Sequence, residues 1–253
     1  MGLFSALDTS TLGLRLSQDA LSVVAQNVSN ANNPGYTRRT YVADAEQVGE
    51  PIRRAYESFV QKQLWRESAS SGYLSAQNDI MSSLDQLYGA PDSKTNLTSV
   101  YNDFYVALQS LRSDPANPTQ QSVFLSSAKM LATRFNGLSD DIQSLRSSVE
   151  DALSSATIEA NDALSSLADI NRKIVNSGSV ADPSLLDARD AKIKTLCSLM
   201  DLQVAPASDG TVTVRTSNGT VLLDSTGASP LSFDSRSPLT SSSSYASLSS
   251  ARS

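Results

Sequence analysis

The sequence predicts a mainly α-helical fold, an elongated antiparallel bundle of long helices with a mobile N-terminal helix and a small β-hairpin element near the C-terminus. Three observations predict it. Apolar residues recur at steps of three and four over most of residues 55–176, the spacing of one helix face. Aromatic residues make up only 6% of the 253 residues while Ser, Asn and Ala abound, which argues against one dense globular core. The alternating stretch Thr211 to Leu223, with Asn218-Gly219 inside it, is short and late in the chain.

The first helix carries Leu7, Leu14, Leu21 and Val28 every seven residues, with Leu3 and Val24 on adjoining positions, which makes one narrow apolar stripe. A dense turn cluster ends it. Asn30, Asn32 and Asn33 favour turns over helix, Pro34 lacks the N–H a helix needs, and Gly35 suits φ > 0 at the second central position of a type II turn. Tyr41 to Pro51 then reads as extended or irregular.

Tyr56, Phe59, Val60, Leu64, Tyr73, Ile80, Leu84 and Leu87 predict a helix over about 55–88, with Gly72 as a weak point. Gly89-Ala-Pro-Asp-Ser breaks it. Leu97, Val100, Tyr101, Phe104, Leu108 and Leu111 predict a second helix that ends before Asp114-Pro115. From about Thr119 to Asn176 the seam Leu131, Phe135, Leu138, Ile142, Leu145, Val149 continues through Leu153, Ala156, Ala160, Ala163, Leu167, Ile170 and Ile174. The four-four step at Val149 and Leu153 is a stutter, and a stripe this narrow must be covered to be stable. Because the seam turns to alanine near residue 156, its partners should approach more closely in the second half.

Asp182-Pro183 offers an N-cap and a first-turn proline for a helix to about Met200. A hairpin over Thr211 to Leu223 follows. From Ser225 onward the composition collapses into Ser, with Pro230 and Pro238, and too little apolar surface remains to offset chain entropy. The organisation expected is therefore 1–50 helix, turn and extended segment; 51–200 helical bundle; 201–224 hairpin element; 225–253 disordered tail.

Composition also excludes function classes. A net charge of −6 and a pI near 4.7 disfavour nucleic acid, and the local pairs Arg38-Arg39 and Arg53-Arg54 do not reverse that. The absence of histidine removes Ser-His-Asp and Cys-His chemistry and all His-based metal ligation. Asp140-Asp141 and Glu150-Asp151 are neighbours in sequence that face different directions on a helix, and read as a solvated face. In Leu185-Leu186-Asp187-Ala188-Arg189-Asp190 the acids read as first-turn residues at a helix start, where its dipole favours them, and Arg189 as bridging to a neighbouring element. No glycine-rich phosphate loop or calcium loop occurs, so neither enzyme activity nor a cofactor or metal is expected. The single cysteine, Cys197, has Ile193, Leu196 and Met200 as neighbours and reads as a small buried apolar residue. No basic, apolar and small-residue leader pattern and no run of about 20 apolar residues appears, so neither general secretion nor membrane insertion is indicated.

The stretch Asn27-Val-Ser-Asn-Ala-Asn-Asn-Pro-Gly-Tyr-Thr-Arg38, placed after an N-terminal helix rich in Leu, Ala, Ser and Asn, closely resembles the signature that follows the first helix of the bacterial flagellar axial proteins. That group comprises rod, hook and hook-associated proteins. Leu185 to Asp190, Leu202-Gln203-Val204 and Thr211 to Leu223 are similar to its hook-associated branch at the hook–filament junction, and the resemblance covers roughly residues 1–233. It implies a structural protein that self-associates in a ring or tubular array. It also implies contact with the flagellar hook protein and the adjacent hook-associated protein, handling by the export apparatus or its chaperone, and exit through the flagellar export channel to the flagellum. The residues it points to for assembly are Leu7, Leu14, Leu21, Val24, Val28, Asn30, Pro34, Gly35, Tyr36 and Arg38. For Tyr36 the plainer reading is packing on the helix it follows, and for Arg38 a solvated charge.

In the family a C-terminal helix returns to pair with the N-terminal one. No such helix occurs here, so the stripe is expected to lack its intramolecular partner and residues 1 to about 30 to be mobile in the isolated monomer. A different class of protein competes: a secreted or soluble coiled-coil adaptor or surface-binding protein whose N-terminal helix docks in a partner groove. Another flagellar rod or hook subunit is a further alternative, and an enzyme comes third, far behind. The Asn27 to Arg38 signature discriminates against the adaptor, and the long helical body against the rod or hook subunit.

Overall fold

The computed structural model describes residues 2–42, 52–90, 93–178, 182–235 and 248–250. Five helices and eight short strands are described: α1 Leu3–Ser29, β1 Arg39–Tyr41, β2 Ile52–Arg54, α2 Ser58–Tyr88, α3 Leu97–Ser113, α4 Pro118–Asn176, α5 Pro183–Leu199, β3 Leu202–Pro206, β4 Val212–Thr216, β5 Val221–Asp224, β6 Gly227–Ala228, β7 Leu231–Phe233 and β8 Leu248–Ser250. Long helices with small antiparallel sheets therefore make the fold mainly α. The chain divides into two compact units, one chiefly from Met1–Tyr73 and Ile158–Leu231, the other from Leu74–Thr157 and Ser232–Ser249.

The core of the first unit lies where α4 turns to small residues. Ala160, Ala163, Leu164 and Leu167 are almost fully buried, together with Trp65 of α2, Ile193 and Leu196 of α5, and Val212, Val214, Leu222 and Leu223 of the sheet. Alanine keeps the surface of α4 low, so bulk comes from the neighbouring elements instead. Gly72 does the same on α2: a Cβ there would stand 2.0 Å from the Ser198 carbonyl oxygen of α5. It is a point of close helix approach rather than a weak point.

The expected hairpin is part of a larger sheet, ordered β3-β4-β5-β6 and antiparallel. Val204 pairs with Val214, and a bulge sits between Val214 and Arg215. Gly219 supplies φ +90° in the β4–β5 turn, but Asn218 does not have positive φ, so the two-residue turn that Asn218-Gly219 signals gives way to a longer loop in which the Gly219 N–H donates to the Thr216 carbonyl at 2.9 Å. The stretch expected to be disordered begins differently. Asp224 accepts the Thr226 N–H at 2.8 Å, Gly227 adopts φ +130°, and the chain then delivers Leu231 and Ser229 to buried positions. One well-placed leucine and a turn suffice there, which the Ser-rich composition conceals. Residues 236–247 and 251–253 of that tail lie outside the described residues.

In the second unit Asn96 caps α3 by accepting the Ser99 N–H at 2.6 Å. Val100 and Ala107 of α3 are buried, and Phe104 tilts against Phe124 of α4 with ring centroids 5.5 Å apart. Arg134 donates to the Leu87 carbonyl in the last turn of α2. The seam residues on this half of α4 are less covered than the pattern predicts: Phe135 is 51% and Leu153 46% exposed. The helix itself runs unbroken through the stutter. Among the described residues, no helix is long and apolar enough to cross a membrane, and no cluster of His, Cys, Asp or Glu is arranged to hold a metal ion.

Candidate assembly site: the N-terminal helix and its anchoring turn

Helix α1 has two unlike sides. Leu16, Ala20, Val23 and Asn27, spaced four, three and four, face inward, with Val23 only 2% exposed. The predicted stripe lies across the helix from them, since Val23 stands about 200° around from Leu21 at 100° per residue. Leu7, Leu14, Leu21, Val24 and Val28 are between 56% and 72% exposed. A heptad repeat identifies an apolar face without saying whether anything covers it, and Val23 alone carries the buried contact that the repeat misses.

The turn is built by asparagine side chains. Asn27 treats Arg39 as a strand neighbour would: its Nδ2 donates to the Arg39 carbonyl at 2.8 Å and its Oδ1 accepts the Arg39 N–H at 2.9 Å. The same Oδ1 accepts the Tyr36 hydroxyl at 2.9 Å. Asn30 closes α1 through its N–H and Nδ2, both donated to the Gln26 carbonyl. The Tyr36 N–H reaches the Asn33 carbonyl at 3.1 Å, with Pro34 and Gly35 between. Gly35 is not among the glycines with positive φ, so the turn is not the expected type II. Asn33 Oδ1 instead accepts the Gly35 N–H at 3.1 Å, holding the tip from the side chain.

Pro34, Gly35 and Arg38 are exposed, whereas Asn30 and Tyr36 are half-buried. Tyr36 lies under the Arg39 guanidinium, 4.9 Å from its ring centre, and through Asn27 it packs on the helix it follows.

Chain direction then brings charge inward. β1 and β2 pair antiparallel with Arg39 opposite Arg54, which puts both side chains on one face. Two like charges there demand acids, and α5 supplies them. Arg39 meets Asp187 Oδ2 at 3.2 Å, while Arg54 meets Asp187 Oδ1 at 2.9 Å and Asp190 Oδ2 at 2.6 Å. Asp190 Oδ1 also accepts from Arg189 Nε and Nη2 at 2.9 and 2.7 Å, and Arg189 Nη1 donates to the Gly210 carbonyl before β4. The Thr37 N–H adds a 3.3 Å bond to Asp187, and Arg54 a 2.9 Å bond to the Thr37 hydroxyl. All five charged side chains are at most 12% exposed. Burial, then the Asp190 carboxylate, push the nearby Tyr56 hydroxyl above its ordinary pKa.

Arg189 bridges to another element, as its position in the helix predicts. Asp187 and Asp190 are not first-turn acids, since α5 starts at Pro183 and its first turn holds no acid, so the helix dipole, which acts within the first turn, is not what they serve: they neutralise Arg39 and Arg54. The available signal was the hairpin register, which needs β1 and β2 to be recognised as partners. A domain boundary at residue 50 instead separates them.

A cleft of about 560 Å³ lies beside this cluster, lined by Asn30, Asn33, Tyr36, Arg39, Ile52 and Asp182 among others. Asp182 caps α5 by accepting the Ser184 hydroxyl at 2.7 Å and N–H at 2.8 Å; these bonds, with a smaller contribution from Arg39, hold its carboxyl below the usual range. The carboxylates here are engaged by guanidinium, hydroxyl or amide groups. The arrangement positions a helix.

The family model for the flagellar hook-associated protein FlgK helical domain matches residues 81–252. Flagellar hook-associated protein 1 of Bacillus subtilis (strain 168) is 26% identical over 243 residues, covering 87% of this chain and 48% of that protein. Its counterpart in Salmonella typhimurium is 26% identical over 244 residues, covering 90% and 44%. The chain thus spans about half the length of the curated relatives it matches. The fold is similar to that of the flagellar hook junction protein FlgK from Burkholderia pseudomallei, with a TM-score of 0.62 at 24% identity over 68% of this chain and 30% of that one.

Proposed function

The chain belongs to the FlgK family of flagellar hook-associated proteins, and on that premise we propose that it is a structural subunit joining the flagellar hook to the filament. The observation that carries this reading is the exposed stripe of α1. Leu7, Leu14, Leu21, Val24 and Val28 present a contiguous apolar face to solvent on a helix whose other side is anchored. Such faces mark interaction surfaces, and burying each side chain is worth about 1.5–3 kcal/mol. A contact of this kind repeated head to tail generates a ring or an open tubular array.

In this reading Asn30, Pro34, Gly35 and Tyr36 shape the turn below the helix, and exposed Arg38 reaches a neighbouring subunit. The partners are further copies of the chain, the hook protein and the adjacent hook-associated protein. The chain reaches the junction through the flagellar export channel, delivered by the export apparatus or its chaperone, and α1 is loosely held until incorporation protects it. The role is assembly, with no catalytic step.

The test is binding to isolated hooks, read by co-sedimentation and electron microscopy. Wild-type chain should decorate the distal end, and Leu14→Asp with Leu21→Asp should abolish that binding while helical content stays normal. End binding by the double variant equal to wild type would overturn the reading.

A further inference from the structure

The apolar core of the first unit begins at Trp65: no described residue before it belongs to the buried cluster or to the partly buried residues packed against it. Among the residues of that N-terminal segment whose burial is described, Val23 is the one buried apolar side chain. The polar ties of the segment to α5 are ionic, through Arg39 and Arg54 to Asp187 and Asp190, with the Thr37 N–H as the added backbone bond, and beside them no fully buried apolar side chain of the hairpin reinforces the contact. Inside the segment the bonding is separate and self-contained. Asn27 holds Arg39 and Tyr36, and β1 pairs with β2, without using α5.

Buried ion pairs recover little net stability against the same groups in water, whereas apolar burial would hold the segment firmly. With the clasp closed the docked state is favoured, and with the clasp broken little apolar burial remains to hold it.

We propose that residues 2–42 and 52–56 form a separable module, and that the Arg39/Arg54–Asp187/Asp190 clasp is the latch that fastens it to α5. Opening the latch frees α1 and the hairpin together while the core around Ala160, Leu164 and Leu167 stays folded. This does not depend on the flagellar reading, because it rests on which contacts are ionic and which are apolar.

Two spin labels test it in the full chain, at Ser22→Cys on α1 and Lys192→Cys on α5, both exposed positions. Trp65, the single tryptophan, reports the core at the same time. With the latch intact the label distance should be single and narrow. Asp187→Asn, which leaves Arg39 without its carboxylate, should replace it with a broad distribution while Trp65 emission stays unshifted. Arg39→Gln, a milder cut from the other side, should do the same if Asp187→Asn fails to fold. A narrow distance in the folded variants would overturn the proposal, and so would broadening that always comes with a red-shifted Trp65, since the module would then not be separable.

Discussion

Removing one amide, that of Asn171, should cost as much as removing a large core side chain. Strand β5 ends at Asp224, and the β4–β5 pairing runs only as far as Val214 with Leu223, so Val212 has no strand neighbour on that side. Asn171, on α4 and 8% exposed, takes the missing place: its Nδ2 donates to the Val212 carbonyl at 2.8 Å and its Oδ1 accepts the Val212 N–H at 3.1 Å. Asn171→Ala leaves both groups of a residue that is 2% exposed without partners. At about 1–3 kcal/mol for each buried unsatisfied group, with some recovery from water entering the space, the expected loss is about 2–4 kcal/mol. That is a large share of the ~5–15 kcal/mol that holds a domain together. Asn171→Leu restores volume but not the bonds and should lose about as much, which separates the hydrogen bonds from packing. Asn171→Asp keeps the acceptor but sets a carboxylate against a carbonyl, so it should be the least stable at neutral pH and recover on acidification, when the protonated oxygen can donate. The assay is urea unfolding followed by Trp65 fluorescence. A loss below about 0.5 kcal/mol for both Ala and Leu would refute the reasoning, because it would mean water or a backbone shift satisfies Val212.

Glycine substitutions should differ in sign by position. At Gly13 and Gly137, where a Cβ meets nothing within 4 Å, alanine should stabilise by about 1 kcal/mol through helix propensity; at Gly72, where it meets the Ser198 carbonyl at 2.0 Å, thermal denaturation should show a net loss. Asp182→Ala should cost roughly 0.5–1 kcal/mol at pH 7 through the lost cap, the low end because the residue is exposed. Its carboxyl is more acidic folded than unfolded, so its contribution is complete above the unfolded pKa and is lost as pH falls through the lower folded value; parallel melts should hold their difference down to about pH 4 and close it only below that.

The long helices are legible because each one declares itself locally. Steps of three and four, the Asp182-Pro183 start and the glycine at 219 need nothing beyond a few neighbouring residues. What stays hidden depends on partners far along the chain. Asp187 pairs with an arginine 148 residues away, and nothing near either residue marks the other. Leu231 is seated by Asn161, 70 residues earlier, which bonds both its N–H and its carbonyl, so the start of a Ser-rich tail becomes strand. The stripe of α1 is the opposite case. Its residues are plain in the sequence, but coverage belongs to the surroundings of a helix rather than to its spacing.

Cys197 is 1% exposed, and burial first, then Asp201, raises its thiol to about 11. At neutral or mildly alkaline pH almost none of it is thiolate, the form that attacks disulfides or alkylating reagents. Copies brought into crowded, oxidising contact therefore gain no covalent link through this residue, and contacts between them rest on packing, hydrogen bonds and charge. The same inertness lets a cysteine introduced on the surface be derivatised selectively in the otherwise native chain.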